Sequence, residues 1–151
     1  MRFKFNLERL KNLRERLEEE AKRIFLEATA ERIKAEEKLV AINNKIKLEN
    51  ERFIKQISQN LMTIQEIQQW RSYLESLEKE KIKLGDIYRE KVAIEEEKRK
   101  EYLEARKNRI ILEKLKERKF EEYKIEYQRE ENRNLDEIGI QMYYRKKKDF
   151  K

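Results

Sequence analysis

Residues 10–57 read LKNLRERLEEEAKRIFLEATAERIKAEEKLVAINNKIKLENERFIKQI. Stepping through them by threes and fours gives Leu10, Leu13, Leu17, Ala21, Ile24, Ala28, Arg32, Ala35, Leu39, Ile42, Ile46, Glu49, Phe53 and Ile57. Twelve of these fourteen positions are apolar and the positions between them are mostly charged, which is one face of a helix. A stripe this narrow is a coiled-coil seam, not the broad face of a globular-core helix. Small Ala21, Ala28 and Ala35 let a partner backbone approach closely. Glu18 with Lys22, Glu19 with Arg23 and Glu51 with Lys55 add support one turn apart.

The stripe runs out in Ser58-Gln59-Asn60-Leu61-Met62-Thr63, the least charged stretch of the chain. Thr63-Ile64-Gln65-Glu66 reads as a capping box that starts a new helix, so the chain reverses at residues 58–63. The alternative is one uninterrupted helix through a polar patch. The second stripe is Ile67, Trp70, Leu74, Leu77, Leu84, Tyr88, Val92, then Tyr102, Ala105, Leu112, Leu115, Tyr123 and Tyr127. Glu95-Glu96-Glu97-Lys98-Arg99-Lys100-Glu101 interrupts it with seven charges, and Gly85 is a tolerated glycine or a mild kink.

The expected fold is therefore all-α, a long antiparallel two-helix coiled-coil hairpin in a single domain. Helix one covers about 3–57, the turn 58–63, and helix two about 64–145, followed by a basic tail at 145–151. At 1.5 Å per residue the helices measure roughly 80 and 120 Å, so the second overhangs the first unless Gly85 folds part of it away. With the turn at 58–63, paired positions sum to about 121–124. Arg32, the flaw in the first stripe, then comes within reach of Glu95 or Glu96, one turn beyond the residues it faces. A partly buried polar layer is expected there.

Composition agrees and closes other routes. Charged residues make up 47% of the chain, Pro and Cys are absent, and Gly85 and Gly139 are its only glycines, so turn-rich sandwiches, barrels and alternating α/β folds are excluded. Without His or Cys there is no triad, catalytic zinc site or imidazole base, and two isolated glycines build no phosphate loop. The chain is read as no enzyme, with no cofactor and no metal. No apolar run approaches the length that spans a bilayer, and the N-terminus lacks a signal-peptide core. Absence of Cys fits a cytosolic protein.

Two features carry open readings. Trp70, Tyr73 and Tyr88 sit near the expected bend, where they either fill space beside a turn or form a docking surface, and Tyr73 lies just off the stripe. The tail Arg145-Lys146-Lys147-Lys148-Asp149-Phe150-Lys151 holds five cations and one carboxylate, +4 of the total +7. It is a solvated terminus or a site for anionic lipid, nucleic acid or an acidic protein. Both signs are mixed elsewhere, so no basic stripe follows a phosphate backbone and no specific nucleic acid is expected.

The two ends resemble a known family. Phe3-x-Phe5-x-Leu7-x-x-Leu10-x-x-Leu13-Arg14 followed by Glu18-Glu19 is similar to the N-terminal signature of the flagellar export protein FliJ family. Arg133-Asn134-Leu135-Asp136-Glu137-Ile138 looks like that family's terminal Leu-Asp-Glu motif. Ala35-Glu36-Glu37-Lys38-Leu39 and Tyr73-Leu74-Glu75-Ser76-Leu77-Glu78-Lys79 stand at matching places between.

The resemblance implies a component of the type III flagellar export apparatus, similar in shape to the rotary ATPase γ (stalk) subunit. It implies insertion into the hole of the hexameric export ATPase FliI and contact with the export gate FlhA and with export chaperones. The expected location is the cytoplasm, peripherally at the membrane face of the flagellar base. By that pattern Phe3, Phe5, Arg133, Leu135, Asp136 and Glu137 meet the ATPase ring, and Ile42, Tyr73 and Leu77 meet the gate. Lys38, Lys45, Glu49 and Glu80 occupy neighbouring family positions with other residue types. The rival readings are a scaffolding coiled-coil dimer and a basic-tail binder of nucleic acid or membrane surface.

Overall fold

The computed structural model describes residues 2–149; Phe150 and Lys151, the end of the basic tail, lie outside the described residues, as does Met1. Two helices, α1 (Glu8–Ser58) and α2 (Ile64–Asp149), pack against each other as an all-α hairpin, with no strand among the described residues. Residues 2–5 lead into α1 without regular structure. The chain divides into two compact units, Met1–Leu17 with Arg106–Lys151, and Glu18–Ala105.

In the unit Glu18–Ala105 the hairpin turn is built by complementary caps. Asn60 adopts the left-handed conformation at φ 55°, a position that Asn tolerates better than most residues. Its amide donates to the Ile57 carbonyl and the Leu61 amide to the Gln56 carbonyl, both at 3.0 Å. These two bonds make a Schellman motif that satisfies the last carbonyls of α1. Helix α2 begins with the capping box: the Glu66 amide donates to Thr63 Oγ1 at 3.2 Å, and the Thr63 amide to Glu66 Oε2 at 3.4 Å.

Every seventh residue of α1 turns toward α2. Phe25, Arg32, Leu39, Ile46 and Phe53 form one row, and Ala21, Ala28, Ala35, Ile42 and Glu49 the other, all buried or half-buried. Helix α2 answers with Trp70, Leu77, Leu84, Lys91, Lys98 and Ala105, and with Leu74, Lys81, Tyr88, Glu95 and Tyr102. An unbroken seven-residue repeat is the period of a left-handed supercoil. The driest part is Ile42, Ile46 and Leu77, with Leu39, Leu74 and Leu84 packed against them. Phe25 stacks on Tyr102 at 6.1 Å between ring centres, and Phe53 on Trp70 at 6.0 Å. Lys81, Lys91 and Lys98 lie half-buried in the seam, where lysine stems add apolar cover while their ammonium heads reach water.

The polar layer forms as the hairpin register requires. Arg32 Nε donates to Glu95 Oε2 at 2.7 Å, and its Nη1 reaches Glu36 at 2.9 Å. Hydrogen bonding to Glu95 raises the Arg32 pKa above its ordinary value. Glu96 belongs to another pair, held by Arg99 at 2.9 Å on the same helix, which lowers its carboxyl pKa.

Helix α2 continues through Gly85 with ordinary negative φ. A methyl group built there meets only Arg89 Nη1, at 3.7 Å. Gly85→Ala should therefore stabilise the protein by about 0.5–1 kcal/mol through a less flexible unfolded chain. Calorimetry should show the midpoint rise by roughly 1–4 °C; a fall would mean that the backbone there is distorted from helix.

In the other unit the seam departs from the leucine stripe of the sequence. Carrying the seven-residue repeat back through α1 reaches Lys11 and Arg14, both half-buried, while Leu13 and Leu17 are 44% and 43% exposed. In the unit Glu18–Ala105, Val92 of α2 likewise lies just outside the seam. A 3.5-residue repeat drifts about 20° per heptad from a straight helical stripe, so a pattern stepped by eye slips off the buried face. Lys116 Nζ meets Glu8 Oε2 at 2.9 Å, and this ion pair lowers the Glu8 carboxyl pKa.

Candidate functional site

The residues matched to the gate are placed differently from one another. Ile42 and Leu77 are 6% and 3% exposed, so both belong to the seam itself, as their places in the two apolar stripes imply, and neither presents a free face to a gate. Two apolar side chains one heptad row apart on facing helices close the driest layer of the coil. Tyr73, 40% exposed, is the one of the three with a largely free side chain. It lines a groove with Gln56, Met62, Glu66, Gln69 and Trp70. The neighbouring family positions gather elsewhere: Lys38, Lys45 and Glu80 line a second groove with Ala41, Leu84 and the edge of Ile42. Glu49 is half-buried and reaches Arg52 at 3.6 Å. Two separate grooves thus lie near the matched residues, one with Glu66 as its only charged residue and one of mixed charge.

The residues matched to the ATPase ring lie in the unit formed by the two chain ends, and they divide in two. Phe3 packs edge-on against Phe120 at 5.1 Å and against Tyr123 at 5.5 Å. Tyr123 continues the cluster to Tyr127, 6.2 Å away, whose hydroxyl pKa is raised by hydrogen bonding to Glu131. Phe5 lines an adjoining cleft with Phe3, Leu7, Leu115, Lys119 and Tyr123. The helix needs this packing because the segment before Glu8 makes few backbone bonds of its own; the Glu8 amide donates to the Phe5 carbonyl at 3.1 Å.

Arg133, Leu135, Asp136 and Glu137 stand on bare helix. All residues of α2 from 124 to 148 are exposed. Sequence reasoning missed what surrounds the Leu-Asp-Glu motif: Ile138, Ile140, Met142, Tyr143 and Tyr144 are each half or more exposed. At 100° per residue Leu135, Ile138 and Met142 share one line, while Tyr143, Ile140 and Tyr144 fall on the remaining sides. The run of four apolar residues in five was the available signal.

No group of side chains among the described residues is arranged to hold a metal ion, and no described helix is long and apolar enough to cross a membrane. The geometry is that of contact surfaces: two grooves, an aromatic cluster and an uncovered helix end. No curated protein and no solved structure gives a significant match to the chain. The family model described as "Flagellar FliJ protein" matches residues 3–148, nearly the whole length. On that match, and with the hairpin it accompanies, the chain belongs to the FliJ family and is a component of flagellar protein export.

Proposed function

We propose that this protein is a central-stalk-like activator of the hexameric export ATPase FliI, acting in the cytoplasm at the membrane face of the flagellar base. One observation carries the reading beyond the family assignment. The uncovered end of α2 carries Leu135, Ile138 and Met142 on one side and Ile140, Tyr143 and Tyr144 toward the opposite one, so it needs apolar cover on more than one face. A flat partner surface covers one side; the hole of a ring covers all of them. Phe3, packed on Phe120 and Tyr123, ties the N-terminal segment to the same helix, so the two ends enter together.

The chain, without histidine or cysteine, is read as bringing no catalytic group to the reaction. It acts on ATP hydrolysis by binding the ring's subunit conformations unequally, which shifts their populations. An asymmetric hairpin in a sixfold ring presents a different side to each subunit. Tyr73 with its groove, and the separate Lys38–Lys45–Glu80 groove, supply the contacts to the gate FlhA and to export chaperones. Ile42 and Leu77 hold those grooves in place from beneath.

The test is the hydrolysis rate of FliI with and without the purified chain. The chain alone should release no phosphate, and the mixture should run faster than FliI alone. An unchanged rate and an unchanged oligomeric state with well-folded components at low salt would sink the proposal. A stable homodimer that ignores the ATPase would instead favour the scaffolding alternative. Binding to nucleic acid or lipid that vanishes without residues 145–151 would favour the basic-tail alternative.

A further inference from the structure

Almost half of this chain is charged, yet Gln56 through Gln65 holds no charge at all. The same stretch forms the apex of the hairpin, and its apolar side chains are bare. Ile64 is 78% exposed, Leu61 is 65% exposed, and Ile57 is exposed as well. They come from the last turns of α1, from the turn, and from the first residue of α2. They therefore crown a convex end; they do not line a groove along which another helix could lie. The turn that presents Leu61 is held by the left-handed Asn60 and the Schellman bonds, so its exposure is built in.

Just behind the apex stands a collar of cations. Lys55, in the last turn of α1, and Arg71, two turns into α2, are exposed and have no ion pair among the described residues. Arg71 lies roughly 10 Å behind Ile64 along the helix. The only carboxylate between residues 52 and 74 is Glu66, and it is engaged by the Thr63 amide. Trp70, stacked on Phe53, sits at the same level. An uncharged apolar tip with two exposed cations roughly 3–10 Å behind it matches the outer layers of a membrane surface, acyl boundary and then phosphates. We infer that the hairpin apex, through Ile57, Leu61 and Ile64, inserts shallowly into the surface of an anionic lipid bilayer. This contact is separate from the ATPase-binding ends and uses none of the residues matched to the gate.

Vesicle flotation of the full chain tests it, with phosphatidylcholine vesicles containing about a third phosphatidylglycerol and with phosphatidylcholine alone. The chain should float with the anionic vesicles, and emission from Trp70, the single tryptophan, should shift to the blue and be quenched by brominated acyl chains. Leu61→Glu with Ile64→Glu should lower the bound fraction by about tenfold or more. Lys55→Gln with Arg71→Gln should lower it several-fold on anionic vesicles only. Lys146→Gln, Lys147→Gln and Lys148→Gln together should leave the Trp70 shift in place. Both tip positions are exposed, so helicity by circular dichroism should be unchanged; if the glutamates unfold the chain, the Gln pair at the same positions replaces them.

No flotation with either vesicle, or flotation that the tip variant keeps and the tail variant loses, would overturn the inference. No flotation combined with loss of gate binding in the tip variant would assign the apex to a protein partner instead. Stimulation of the ATPase should be equal in wild type and tip variant, so the two readings fail separately.

Discussion

Replacing Ile138 and Met142 together by glutamate should weaken stimulation of the export ATPase so that the half-activating concentration of the chain rises by about a hundredfold. Both side chains are exposed on the uncovered end of α2, one turn apart on the line that begins at Leu135. Glutamate is a better helix former than isoleucine, and no neighbour is lost, so the helix itself should survive. On the proposed ring contact, two carboxylates would be carried into a surface that Ile138 and Met142 would meet with methyl groups. Desolvating a charge without a partner is costly, which is why the expected effect is large. Asp136→Ala with Glu137→Ala should cost less, because a solvated rim charge contributes little. Retained stimulation in the Ile138 and Met142 double variant, at unchanged helicity, would place the ring contact on other residues. The Phe3 cluster would then be the next region to vary.

Leu77→Ala should cost about 2–5 kcal/mol of stability, and the midpoint of thermal unfolding should fall by roughly 5–15 °C. Leu77 is the most buried large side chain of the hairpin, and its removal leaves a cavity against Ile42 and Ile46 that two stiff helices cannot close. Tyr73→Ala, four residues away and exposed, should shift the midpoint by only a degree or two. Measured against the gate, the two variants should also separate. Tyr73→Ala should weaken binding in a fully folded protein, whereas Leu77→Ala should weaken it only in proportion to the hairpin lost. Equal stability of the two variants would refute the placement of Leu77 in the seam. A two-helix coil with few fully buried residues has little stability in reserve, so one such cavity is a large fraction of the whole.

How much of this was readable beforehand follows from the range over which each interaction acts. The capping box at Thr63 and Glu66 was legible because its bonds close within three residues. The Arg32–Glu95 pair was legible because a tight turn transmits register along both helices, and a guanidinium tolerates an error of one turn. The Leu13 and Leu17 positions were misread because the sequence does not say whether the face repeats every 3.5 or 3.6 residues. That difference grows with each heptad away from the turn.

By itself the sequence determined that the chain is helical, that it reverses once, and that it belongs with the FliJ family. Those follow from composition, from local caps and from end motifs that no packing alters. Only the tertiary structure decided which apolar residues are covered. Leu13 and Leu17 stand in the same stripe as Ile42 and Ile46, yet the first two are exposed and the last two are sealed in the seam. The same holds for the apex and for the end of α2, where isoleucines, leucines and tyrosines would pass for core in a pattern but have no partner helix beside them. Burial is a property of two surfaces brought together, and a single strand of text carries only one of them.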